Sequence, residues 1–164
     1  MINQIKSDWI AHGRTLYRAG FRALFVYRFG NWRMTIKSKL IRAPLSLIYR
    51  FMEQRVRFKY GIELPYTAKL GERVVFEHQH GIVIHGNCVI GDDCIIRQGV
   101  TLGNRYLDKP FDAPVLGVGV SVGAGAKILG FVNIGDHATI GANAVVLNDV
   151  PAGKTVVGIP AKLV

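Results

Sequence analysis

From Leu64 onward the sequence repeats every six residues, and this period limits the fold more than any other feature. An aliphatic residue leads each unit, usually with Gly after it, and a small or β-branched residue sits four places on. One run is led by Ile84, Ile90, Ile96 and Leu102, another by Leu116, Val122, Ile128, Ile134, Ile140 and Val146. The fourth places hold Cys88, Cys94 and Val100, then Val120, Ala126, Val132, Ala138, Ala144 and Val150. A fixed internal period outranks every other fold signal. Each hexad supplies a short strand and a turn, three close a triangular coil, and the coils stack into a solenoid with the leaders pointing inward. Leu64 with Ala68 and Leu70 with Val74 fit the same frame, which slips between Phe76 and Ile84. The wider gap from Leu102 to Leu116 is read as two hexads plus two extra residues.

Residues 1–60 follow another pattern. Apolar side chains recur at helical spacing, with Tyr17, Phe21, Leu24, Phe25 and Trp32 in one stripe. Leu45, Ile48, Met52 and Val56 form a second stripe after Pro44, which is read as a first-turn proline. Arg22, Arg28, Arg33, Arg50, Arg55 and Arg57 fall between them, so two or three amphipathic helices with a basic exposed face are expected. Residues 1–60 carry 13 Lys and Arg against 2 Asp and Glu, a balance of +11; residues 61–164 carry 8 against 9, a balance of −1. The chain therefore divides into a basic helical segment, 1–60, and a neutral repeat domain, 61–164. The basic segment holds no nucleic-acid-binding motif. It suits an anionic membrane surface or a helical cap on the solenoid.

Charged residues interrupt every apolar run, so no spanning helix is expected. The N-terminus has no signal-peptide pattern, and two cysteines make no disulfide framework. A cytoplasmic protein is expected, with peripheral contact at the inner membrane surface as an option. Cys88 and Cys94 fall in interior slots and read as core packing.

The segment Ile84-His85-Gly86-Asn87-Cys88-Val89-Ile90-Gly91 and its successors resemble the hexapeptide-repeat acyltransferases. That resemblance implies a mainly β fold, a left-handed parallel β-helix, here with an N-terminal α-helical segment. The left hand comes from the resemblance, since most parallel crossovers are right-handed. Within the superfamily the chain is similar to serine acetyltransferase and to polysaccharide O-acetyltransferases. The matching stretches are Gly61-Ile62-Glu63, Glu77-His78, Gly81-Ile82-Val83, Gln98 to Gly103, Gly123 to Gly130, and Val157 to Lys162.

Moving an acyl group from a thioester to a hydroxyl requires a base, and neutral imidazole suits that task. The resemblance places the catalytic base at His78, an orienting carboxylate at Glu63 and a second at Glu77. It makes acetyl-CoA the co-substrate, with Gly103, Ala124 and Ala142 lining the pantetheine groove and Lys127 and Lys162 as phosphate partners. No metal is expected. It also implies a homotrimer, or a multiple of one, with sites between subunits.

His80 and His85 share the spacing of a metal pair in gamma-class carbonic anhydrases, which makes a zinc-dependent protein of that kind an alternative. A catalytic zinc site needs a third ligand; those enzymes take it from a coil well before the pair, where this chain has the basic helical segment with no His after His12. His80 is read as an acceptor contact. The stretch Asn104 to Pro114 interrupts the hexads, and such loops shape binding sites. Serine acetyltransferases carry an Arg-His pair just before its proline, where this chain has Asp112 and Ala113. With Arg105, Tyr106 and Asp112 as candidate acceptor contacts, the leading expectation is acetyl transfer to a sugar hydroxyl of a polysaccharide or its lipid-linked precursor. Serine O-acetylation in cysteine biosynthesis is the alternative.

Overall fold

The computed structural model describes residues 1–164. Three helices come first: α1 (Ile2–Ala11), α2 (Ala19–Met34) and α3 (Lys39–Tyr60). Gly61, left-handed at φ 60°, ends α3, and fifteen short strands follow. The first face of the solenoid carries β1 (Ile62–Glu63), β4 (Ile82–Ile84), β7 (Thr101–Gly103), β10 (Lys127–Leu129) and β13 (Val145–Val146). The second carries β2 (Lys69–Leu70), β5 (Val89–Ile90), β8 (Val115–Leu116) and β11 (Asn133–Ile134). The third carries β3 (Val75–Phe76), β6 (Ile95–Ile96), β9 (Ser121–Val122), β12 (Thr139–Ile140), β14 (Thr155–Val157) and β15 (Lys162–Leu163). Up to β14 the paired strands run parallel and step once around the solenoid between partners; β14–β15 closes it as an antiparallel hairpin. This is a left-handed parallel β-helix.

The register explains both irregularities of the repeat. Val122 pairs with Ile140, a step of three hexads, which is one regular coil. Ile96 pairs with Val122 across a longer step, one regular coil with eight inserted residues. Leu102 and Leu116 occupy consecutive faces with no strand between them, which corrects the expectation of two hexads plus two. Phe76 pairs with Ile96, and the frame slip adds two residues to that coil. They fall in the turn Glu77–Gly81, which carries His78.

The leaders from Ile84 to Val146 and the fourth-place residues from Ala68 to Val150 are buried together in one apolar core. Cys88 and Cys94 are inside it as free thiols, and burial pushes them up to about 12 and about 11.

The helices pack differently from the expected stripes. Phe21 and Leu24 are buried, but Tyr17 lies before α2 and is 85% exposed, and Phe25 and Trp32 are also exposed. Tyr49 rather than Ile48 joins Val56 on the inner face of α3, and Pro44 lies within that helix instead of in its first turn. Arg28 and Arg33 are buried rather than surface charges. Arg28 pairs with Asp8, while Arg33 lies between the rings of Tyr49 and Tyr66, 4.4 and 4.5 Å from their centroids. A stripe read at helical spacing selects a face only when one side of the helix is solvated, and α2 is packed by α1, α3 and β3 together. No helix is long and apolar enough to cross a membrane.

Candidate functional site

The turn after β3 has to hold two residues more than its neighbours, and it adds two left-handed positions, His78 at φ 63° and His80 at 74°, ahead of Gly81, whose left-handed corner recurs at Gly99 and Gly125. A non-glycine residue at positive φ is uncommon, and two of them around one turn mark a locally constrained backbone. The Glu77 N–H bonds the Ile96 carbonyl at 2.9 Å, and the His80 N–H bonds the Tyr60 carbonyl at 2.7 Å, anchoring both ends. His78 and Gln79 are held between them, with both side chains exposed.

His78 opens onto a cleft of about 550 Å³, lined also by Tyr17, Arg18, Ala19, Gly20, Phe76 and Glu77. The N-terminal end of α2 forms its opposite wall. Gly20 makes that approach possible: a Cβ there would collide with the Phe76 carbonyl oxygen. Arg18 and Tyr17 belong to this wall, and no motif in the sequence marked them.

Neither carboxylate expected to orient His78 forms a hydrogen bond or ion pair with it within the chain. Glu63 pairs with Arg57 of α3 at 3.2 Å. Glu77 pairs with Arg97 at 3.0 Å, and Arg97 also donates to Ser121 Oγ at 3.2 Å. Sequence reasoning missed Arg97, although the repeat held the signal: Phe76 pairs with Ile96, so the next residues, Glu77 and Arg97, stack one coil apart. Arg57 could not be found that way, because it lies outside the repeat.

The corner column continues through His80, Gln98, Ala124 and Ala142. Backbone N–H groups of Gly99, Gly125 and Asn143 bond the carbonyls of His80, Gln98 and Ala124 at 3.0, 2.8 and 2.8 Å. Ala124 and Ala142 are therefore neighbours on adjacent coils, where small side chains leave the backbone approachable. Gln98 Oε1 is buried without a hydrogen-bond partner in this column. Gly103 lies on β7, a face away, beside Leu129.

The expected phosphate partners separate. Lys127 Nζ donates to the Gly99 carbonyl, so its ammonium is engaged by the chain itself. Lys162 is exposed on the terminal hairpin. His85 Nδ1 accepts the Asn87 N–H at 3.2 Å, and no three His, Cys, Asp or Glu side chains converge in a metal-holding group. The residues present therefore do not fit the tri-ligand zinc site of the carbonic anhydrase alternative.

The loop from Asn104 to Pro114 holds itself together through turn bonds and is pinned by Asn87 Nδ2, which donates to the Phe111 carbonyl at 3.1 Å. Arg105 stacks on Tyr106. None of Arg105, Tyr106, Phe111 or Asp112 lines the His78 cleft of the same chain.

The chain matches no protein-family model. It is 40% identical over 145 residues to the serine acetyltransferase of Synechococcus elongatus, covering 88% of this chain and 57% of that protein. It is 43% identical over 145 residues to the serine acetyltransferase of Helicobacter pylori, covering 88% and 81%. The chain spans 57 to 62% of the length of several curated relatives. Among solved structures, soybean serine acetyltransferase superposes with a TM-score of 0.83 at 33% identity, covering 99% of this chain and 68% of that one. The Brucella abortus serine acetyltransferase in complex with Coenzyme A gives 0.85 at 28% identity, covering 99% and 67%.

These likenesses overturn the expectation of a polysaccharide acceptor. That expectation rested on two residues, Asp112 and Ala113, and on the aromatics of one loop. The loop does not line the His78 cleft of its own chain. The similarity to serine acetyltransferases runs through nearly the whole chain.

Proposed function

The chain belongs to the serine acetyltransferase family, and from that premise we propose that it transfers the acetyl group of acetyl-CoA to the hydroxyl of serine. The catalytic work is assigned to residues 61–164, with residues 1–60 as a basic helical module. Acetyl-CoA is the co-substrate by analogy with the Brucella enzyme solved with Coenzyme A.

His78 is the general base. Its imidazole takes the serine hydroxyl proton while that oxygen attacks the thioester carbonyl. The tetrahedral intermediate collapses, the carbon–sulfur bond breaks, and the imidazolium returns the proton to the departing thiolate of CoA. Glu77 borders the cleft beside His78 and is fixed by Arg97, which suits it to receive the serine ammonium. Direct transfer is favoured because the only thiols, Cys88 and Cys94, are buried in the solenoid core with raised pKa values.

The observation that carries this reading is the constrained turn that presents His78 to a cleft beside an anchored carboxylate. A homotrimer, or a multiple of one, fits the same geometry: the inserted loop does not line its own chain's cleft and would need a neighbouring copy to reach an acceptor. Ala124 and Ala142 are assigned to the pantetheine groove, with Gly103 flanking it and Lys162 as the exposed phosphate partner.

The test is release of free CoA from acetyl-CoA on addition of serine. Wild-type protein turns over, and His78→Asn, which tolerates the left-handed backbone, loses on the order of 10²–10⁴-fold in kcat. Absence of serine-dependent CoA release refutes the acceptor; full activity of His78→Asn refutes the base.

A further inference from the structure

Helix α3 is apolar on two opposite sides. Its inner side, with Tyr49 and Val56, packs into the core. On the other side Leu40, Leu47, Phe51 and Phe58 are 90, 67, 66 and 82% exposed. At 3.6 residues per turn these four fall within about 40° of arc and run for about 27 Å along the axis. Single exposed apolar residues are ordinary, but an aligned row of large ones marks an interaction surface. Exposed Lys39, Arg50, Arg55 and Lys59 flank the row, and the helix holds six cations against one acid, Glu53.

We propose that this outward stripe of α3 docks on an anionic lipid surface, with Leu47 and Phe51 at its centre and the flanking cations at the headgroup level. An apolar face bordered by Lys and Arg is the arrangement that lies in a membrane interface, where burial and headgroup charge act together. Charge selects lipid over a second copy of the chain. Two such stripes packed together would oppose rows of Lys and Arg, and like-charge juxtaposition costs affinity. The lone acid is no counterweight, since Glu53 is half-buried on the inner side of the helix. The inference is independent of the acceptor and of His78.

The experiment floats the full chain with phosphatidylcholine vesicles, with and without about one-third phosphatidylglycerol. The protein is expected to rise with the anionic vesicles at low salt and to be released as salt screens the headgroups. Leu47→Glu with Phe51→Glu should abolish flotation, and Arg50→Glu with Arg55→Glu should weaken partitioning at least about tenfold. Urea midpoints, and serine-dependent CoA release where wild type shows it, report that both variants stay folded. No flotation of wild type overturns the proposal, as does flotation that survives Leu47→Glu with Phe51→Glu or partitioning that Arg50→Glu with Arg55→Glu leaves unchanged. A mass that drops in Leu47→Glu with Phe51→Glu, without flotation of wild type, assigns the stripe to a second copy instead.

Discussion

Asp8 of α1 and Arg28 of α2 form an ion pair that is almost sealed from water: Nε lies 2.9 Å from the carboxylate, with side-chain exposures of 1% and 4%. The same guanidinium donates to the carbonyls of Leu70 and Gly71 on the solenoid. One side chain thus ties two helices to the second face of the β-helix. Removing one partner of a buried pair leaves a charge without compensation, which costs about 3–5 kcal/mol. Asp8→Ala is expected to lose that much in urea unfolding followed by circular dichroism. A loss under about 1 kcal/mol would show that solvent reaches the pair.

His12 makes stability depend on pH. Its ring is buried, with Nδ1 2.7 Å from the Asp8 carbonyl and Nε2 unpartnered. Burial holds the imidazole below its ordinary 6.5, against the opposing pull of the Asp8 carbonyl and carboxylate and with a further push from Arg18. The unfolded chain therefore takes up the proton first. The contribution is complete above the unfolded value of 6.5 and is lost as pH falls below it toward the folded value. Urea midpoints should drop between about pH 7.5 and about pH 5.5, and His12→Leu should flatten that change. An unchanged slope in the variant assigns it to other groups.

Arg97 should act on the acceptor and not on the cofactor. It holds Glu77 beside the His78 cleft while lying outside the cleft's lining. Arg97→Ala is expected to raise KM for serine about tenfold, with KM for acetyl-CoA unchanged. Lys at this position, with one ammonium replacing the guanidinium fork, should recover part of the loss. Parallel changes in both KM values would point to a general loosening of the corner.

Cys88 and Cys94 should be chemically silent in the folded protein. With thiols pushed up to about 12 and about 11, almost no thiolate exists near about pH 8. A chromogenic disulfide reagent should count no thiol in native protein and two in denaturant. Cys88→Ala and Cys94→Ala should each cost about 1–2 kcal/mol of stability through the lost packing volume, with kcat within about twofold of wild type. A large fall in kcat for either would reopen an acyl-cysteine route.

The solenoid was legible because its instruction is local and repeated. Each hexad states again which residue points inward, so Ile84 to Val146 and the small slots that include Cys88 and Cys94 could be placed by counting. The turn that carries His78 was legible as a break in that count, since two extra residues have to leave the coil where the frame slips. The partners of the carboxylates were not. Glu63 meets Arg57 across the junction between helix and solenoid, a contact made once and recorded in no period. The same holds for Arg28 and Arg33, which helical spacing assigned to the surface. An arginine enters an interior only where a carboxylate, free carbonyls or ring faces await it, and Asp8, Gly71, Tyr49 and Tyr66 are brought there by tertiary packing alone. The period of six is enough to place the repeating body and its core. The structure decided which charges are buried, which carboxylate is held by which cation, and which side of α3 is left facing outward, because each depends on unique contacts between distant segments.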